Sequence, residues 1–267
     1  MTSLSLPYGA HFVDDDDIAA VVEALRSDRL TTGPVVDAFE QKLAETVGAS
    51  YAVACSSGTS ALHLASLALG LGPDDAVIVP SLTFLATANA PHATGAEIIF
   101  ADVDPHTGLM TPETFSAALE SASERTVRAV FPVHLNGQCV AMGEIATIAE
   151  ANGISIVEDA CHAIGARYPS SNSPVGSGAY SAAAAFSFHP VKTIAMGEGG
   201  AVTTNDSALA AAMRRFRNHG MVSAPDDFEN PDAAFDSNAA LNPWYYEMPI
   251  PGFNYRASDI HCALALS

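Results

Sequence analysis

The sequence predicts an α/β fold in which a mostly parallel, seven-stranded sheet is covered by helices on both faces. Three observations lead there. From residue 51 onward, short apolar runs alternate with helical patterns, the rhythm of strand–helix–strand units. The chain has 267 residues, 49% of them hydrophobic, enough to bury a sizeable core. Its Ala-rich stretches are short and broken by Gly, Pro and charge, so they suit a packed interior rather than a bilayer span.

Taken in order, the first element is a helix. Residues 14–17 are all Asp and put negative charge at its first turn, and Ile18, Val21, Val22 and Leu25 form one apolar stripe. Residues 1–30 are therefore expected as an N-terminal helical segment, with 31–267 as the large domain. After Thr31-Thr32-Gly33-Pro34 a second helix buries Val36, Phe39, Leu43 and Val47, with Lys42 off that stripe among acidic and polar neighbours. Strands are expected over 51–54, 76–80, 97–101, 128–133, 154–157, 182–188 and 200–203. Helices are expected over 61–69, 86–93, 142–151 and 207–217. In the last of these, Arg214, Arg215 and Arg217 suit the negative end of the helix dipole. Residues 221–251, rich in Asp, Asn and Pro before Trp244-Tyr245-Tyr246, break the rhythm and read as a long functional loop. A final helix begins near Ala257.

Composition narrows the function. A formal net charge of −19 speaks against nucleic-acid or anionic-membrane binding. No basic region followed by an apolar block opens the chain, so no secretory signal is expected there. The four cysteines show neither CxxC pairing nor the density of a disulfide framework, which fits a reducing cytoplasm and disfavours a thiolate metal site. Only two lysines occur, Lys42 and Lys192, so a lysine-dependent mechanism has two candidates.

Three segments carry possible chemistry. The run 56–60, Ser-Ser-Gly-Thr-Ser, follows a strand and precedes a helix; it is either an anion cradle of free N–H groups or an ordinary helix cap. It is neither GxGxxG nor GxxxxGK[ST], so nucleotide binding through those loops is not supported. In the run 157–162, Glu158 and Asp159 stand at a strand's carboxyl end, where α/β sheets hold their ligands. Strand alternation sends them to opposite sides. A carboxylate there could be a metal ligand, a general base or the partner of a protonated ring nitrogen, with no metal-ligand spacing nearby. The run 186–193 sets Lys192 amid apolar residues, either as a nucleophilic amine or as a snorkelling side chain. Together the three supply what pyridoxal 5'-phosphate (PLP) needs: a phosphate cradle, an acid for the ring nitrogen and a lysine.

The strings SSGTSALHLA, PSLTFLATANA, VEDACHAIGA, FSFHPVKTIAMGEGGAV and GFNYRASDI resemble the DegT/DnrJ/StrS family of sugar aminotransferases, fold-type I PLP enzymes. The similarity runs over essentially the whole chain. FSFHPVKTI, NHG and WYYEM carry a closer resemblance to members that aminate C4 of a UDP-linked 4-keto-6-deoxy-N-acetylhexosamine, on the route to pseudaminic acid.

By this resemblance Lys192 forms the Schiff base and moves the proton, and Asp159 pairs with the pyridine nitrogen. Phe84 stacks on the ring, Ser57, Gly58, Thr59 and Ser187 hold the phosphate, and His162 lies beside the cofactor's 3' oxygen. Asn254 reaches the phosphate of a neighbouring subunit, implying a homodimer with shared sites, while Thr31, Thr32 and His189 lie near the sugar. The partners implied are a nucleotide sugar and an amino-acid donor, L-glutamate. Related dehydratases have His where Lys192 stands here, which favours transamination. Family members also continue into a small C-terminal domain, so a truncated chain with a partly open substrate pocket is expected. Two other readings remain: a non-catalytic PLP-binding module, and a nucleotide-binding α/β domain.

Overall fold

The computed structural model describes residues 9–122 and 124–267; the first eight residues of the expected 1–30 segment lie outside them. The strands are β1 (Tyr51–Cys55), β2 (Ala76–Pro80), β3 (Glu97–Ala101), β4 (Val127–Val130), β5 (Ser155–Asp159), β6 (Ala183–Ser187) and β7 (Gly200–Thr204). They form one sheet in the order β1-β7-β6-β5-β4-β2-β3. β7 runs antiparallel to both its neighbours, β1 and β6, and the other pairings are parallel. The expected mostly parallel sheet is what forms.

The helices are α1 (Asp15–Arg26), α2 (Pro34–Val47), α3 (Gly58–Ala68), α4 (Ala86–His92), α5 (Pro112–Ser121), α6 (Met142–Ala151), α7 (Ser207–Arg217) and α8 (Asp259–Leu266). Side-chain alternation along the strands builds two cores. On one face Ile78, Val130, Ile156 and Phe186 pack with Phe39 of α2, Phe115 of α5, Ile145 of α6 and Cys262 of α8. On the other, Val77, Phe131, Val157 and Val202 pack with Leu62 of α3, Ala90 of α4 and Met213 of α7. α1 and α2 both pack against α8. Among the described residues no helix is long and apolar enough to cross a membrane.

Several boundaries differ from expectation, each for a local reason. β4 ends at Val130, before the expected residue 133, because Pro132 has no N–H for a ladder. β5 starts at Ser155, since the Ile154 N–H closes the turn onto Ala149 O. α3 begins at Gly58, three residues early, so part of the Ser-rich turn is itself the helix's first turn. α5 was not anticipated; Thr111 caps it reciprocally with Thr114 and Pro112 occupies its first turn. Residues 221–251 contain two 3-10 turns and the isolated bridges Val222↔Glu247 and Phe235↔Leu241. Glu247 accepts from the Glu229 and Asn230 N–H groups and from Tyr245 OH, so that excursion closes on itself.

Candidate active site

β1, β2, β5 and β6 all point their carboxyl ends at one edge of the sheet, and a cavity of about 660 Å³ opens there on the α3/α4 face. Asp159 is the last residue of β5 and shares its side with Val157, so it faces this cavity. Glu158 points to the other face. There it accepts hydrogen bonds from His134 Nε2 (2.7 Å), Tyr168 OH (2.5 Å) and the Ser181 hydroxyl. His134, Glu158 and Tyr168 are essentially sealed from solvent. Burial, reinforced by the Glu158 charge, drives the Tyr168 hydroxyl's pKa far up and keeps it a donor.

Ser57, Gly58 and Thr59 line the cavity at the start of α3. Ser57 caps the helix: its Oγ accepts from Ser60 N, and Ser60 Oγ accepts from Ser57 N. The Ala61 N–H is taken by Ser57 O. The N–H groups of Gly58 and Thr59 precede any intrahelical partner, so they are left for an anion, with the positive end of the helix dipole behind them. Ser187, the last residue of β6, stands beside them. Glycine is required here. A Cβ on Gly58 would sit 2.7 Å from Ser187 Cβ, and one on Gly200 would sit 2.3 Å from Ser57 O.

Lys192 follows β6 on a turn in which its own N–H bonds His189 O at 2.8 Å. Lys192 and His189 both line the cavity. Lys192 Nζ lies 2.7 Å from His162 Nε2, and His162 Nδ1 accepts from Asn136 N at 3.2 Å. An imidazole accepting at Nδ1 carries its proton on Nε2, so the ring N–H faces the Lys192 nitrogen. Burial, and then the neighbouring lysine, lower the pKa of His162 and keep the ring neutral. Lys42, by contrast, is exposed on α2.

Asp159 is held at both oxygens. Oδ2 accepts from Thr87 Oγ1 at 2.7 Å, and Oδ1 accepts from Cys161 N at 3.2 Å. Burial and the Asp159 charge push the Cys161 thiol well up, so it is no nucleophile here. Phe84 lies on the turn before α4, two-thirds exposed, with its ring at the cavity wall.

The cavity thus gathers Ser57, Gly58, Thr59, Phe84 and Asp159 with His162, Ser187, His189 and Lys192. Thr31, Thr32 and Asn254 do not line it. Thr31 bridges Ser258, and Thr32 has a positive φ of 53°, strained for a β-branched residue. Buried Asp259 holds that loop by accepting from Gly33 N (2.9 Å) and Val35 N (3.0 Å). Asn254 is exposed and bridges Asn218, while the next residue's carbonyl, Tyr255 O, accepts from Ser56 N at 2.8 Å behind the phosphate turn. Sequence reasoning missed Thr83 and Thr87, whose spacing of four at a strand-to-helix turn was the available signal. It also missed Glu198 on the cavity wall. Among the described residues no cluster of His, Cys, Asp and Glu is fit for a metal ion.

A lysine amine, a carboxylate and a helix N-terminus converge at the carboxyl ends of the sheet, the three groups that PLP calls for. The chain belongs to the DegT/DnrJ/EryC1/StrS aminotransferase family, whose model matches residues 12–267. It is 40% identical over 261 residues to the spore coat polysaccharide biosynthesis protein SpsC of Bacillus subtilis, covering 98% of this chain and 63% of that protein. Its fold matches that of Helicobacter pylori PseC, an aminotransferase involved in pseudaminic acid biosynthesis (TM-score 0.82, 30% identity, 97% of this chain and 64% of that one). It also matches the PMP form of the putative sugar aminotransferase Spr1654 from Streptococcus pneumoniae (TM-score 0.85, 26% identity, 98% and 66%). The chain spans a little under two thirds of the length of these proteins. PLP is the cofactor of the family's aminotransferases.

Proposed function

We propose that this chain carries the cofactor-binding core of an aminotransferase that moves an amino group from L-glutamate to a nucleotide-linked 4-keto-6-deoxy sugar, with UDP-4-keto-6-deoxy-N-acetylhexosamine as the expected acceptor. The observation that carries the reading is the Lys192 amine and the Asp159 carboxylate facing one cavity whose third wall is the free N-terminus of α3. When bound, PLP supplies an electron sink for breaking the donor's Cα–H bond.

The residues then have separate tasks. The Gly58 and Thr59 N–H groups, with the Ser57 and Ser187 hydroxyls, hold the phosphate against the positive end of α3. Phe84 covers the ring by offset stacking. The ionised Asp159 keeps the ring nitrogen protonated, which maintains the sink. Lys192, placed at the cavity beside His162, holds the cofactor covalently and afterwards carries the proton as base and acid. His162 borders the ring's 3' oxygen. Thr31, Thr32 and His189 are assigned to the sugar, and Asn254 to the phosphate of a second copy, in a cytoplasmic homodimer. The exposure of Asn254 supports that last assignment.

The test is the visible spectrum of the purified chain with PLP, followed by L-glutamate. A PLP absorption band that bleaches on glutamate and returns with a keto-sugar nucleotide is expected. A band that forms and never bleaches would leave cofactor binding without turnover, and no band would remove the reading.

A further inference from the structure

Behind Asp159 stands a pair of hydroxyls that the roles above do not use. Thr87 is buried in the first turn of α4, and its Oγ1 lies 2.7 Å from Asp159 Oδ2. Thr83, one helical turn earlier and bordering the cavity, places its Oγ1 2.7 Å from Thr87 Oγ1. A hydroxyl has one proton to give. An ionised carboxylate only accepts, so the Thr87 proton goes to Asp159 and the Thr83 hydroxyl must donate to Thr87. The chain therefore has one direction, Thr83 to Thr87 to Asp159, and it reverses only if the carboxyl is protonated. Each link polarises and so strengthens the next.

The same turn carries the ring wall. The Thr87 N–H bonds Phe84 O at 3.1 Å, so Thr87 ties Phe84's backbone with its own amide and Asp159 with its hydroxyl. Cys161 N already holds the other oxygen of Asp159 at 3.2 Å. These two donors fix the plane of the carboxylate, while each oxygen keeps a lone pair for a further partner on the cavity side.

We propose that Thr87, backed by Thr83, is a positioning residue that holds the Asp159 carboxylate aimed at a protonated ring nitrogen. The proposal rests on the PLP reading. It predicts a dependence on the ring nitrogen that general damage to the fold would not produce.

The test compares binding of PLP and of its 1-deaza analogue, in which C–H replaces the ring nitrogen, by absorbance titration of the whole 267-residue chain. Thr87→Val keeps the shape and removes the donor. It should weaken PLP binding by about ten- to hundredfold, the worth of a hydrogen bond to a charged group. Binding of the 1-deaza analogue should change by about twofold or less, since that ligand makes no use of the carboxylate's charge. Thr87→Ser should restore PLP binding, and Thr83→Val should show a smaller penalty that is again confined to PLP. Should Thr87→Val fail to give a cooperative melt, Thr83→Val and Thr87→Ser carry the same comparison. Equal losses for both ligands, or undiminished PLP binding in the valine variants, would overturn the proposal. A wild-type chain that takes up no PLP would overturn the cofactor reading, and this proposal with it.

Discussion

Glu158 and Asp159 are consecutive carboxylates at the end of one strand, yet they occupy two different chemical environments. On the α2/α6 side Glu158 is enclosed, with His134, Tyr168 and Ser181 donating to it. On the α3/α4 side Asp159 has Thr87 and the Cys161 amide as donors and an open cavity in front. The difference teaches how a strand's period of two separates structure from chemistry. A carboxylate saturated with partners and closed to solvent locks the strand end in place, because its charge costs too much to leave unpaired. A carboxylate held but not saturated keeps capacity for something that arrives from the cavity.

That contrast can be broken or sharpened by substitution. The largest effect is expected from Glu158→Ala, which strands the buried donors of His134 and Tyr168 and the half-buried Ser181 hydroxyl, and should cost about 3–5 kcal/mol of stability in chemical denaturation. Any cofactor affinity lost there should track unfolding. Asp159→Asn should do the reverse: weaken PLP binding by about 2–5 kcal/mol, with the melting temperature of the cofactor-free chain nearly unchanged. If Asp159→Asn destabilised the free chain as much as Glu158→Ala does, the division of labour between the two sides would be wrong. Phe84→Ala should cost about 0.5–1.5 kcal/mol of PLP affinity in the same titration, with no stability change, since its ring is largely exposed.

The smallest effect concerns pH. Burial lowers the pKa of both His162 and His63 in the folded chain. Below their ordinary value of about 6.5 the unfolded chain therefore binds more protons. The stability tied to their neutral forms is complete above that value and is lost as pH falls through the lowered folded values. Melting temperature should drop between about pH 7 and pH 5, and less steeply in His162→Asn, measured without cofactor.

Much of the cavity was legible because its residue types are scarce or conspicuously placed. With only two lysines, one sitting off the stripe of an amphipathic helix, Lys192 was the obvious amine. The Glu158-Asp159 pair advertised a split between faces, and the Ser-rich turn advertised a cap. The seven strands followed from alternation, whereas their ends did not, since Pro132 and the turn onto Ala149 act over one or two residues. α5 was missed although Thr111-Pro112 and Thr114 spelled its cap, because its buried stripe is only Phe115 and Ala118. The Thr83/Thr87 spacing of four was a weak signal, because a threonine in an Ala-rich helix gains meaning only from what lies 72 residues away. Thr31, Thr32 and Asn254 rest on family resemblance alone; the single chain keeps them off the cavity.

The central claim is that Lys192 is the amine that takes the cofactor, and its most direct measurement is borohydride reduction of the PLP-loaded chain followed by peptide mass mapping. The account predicts one adduct, on Lys192, lost in Lys192→Ala and unaffected in Lys42→Ala. Labelling of Lys42 at equal or greater yield, or labelling that survives Lys192→Ala, would contradict it.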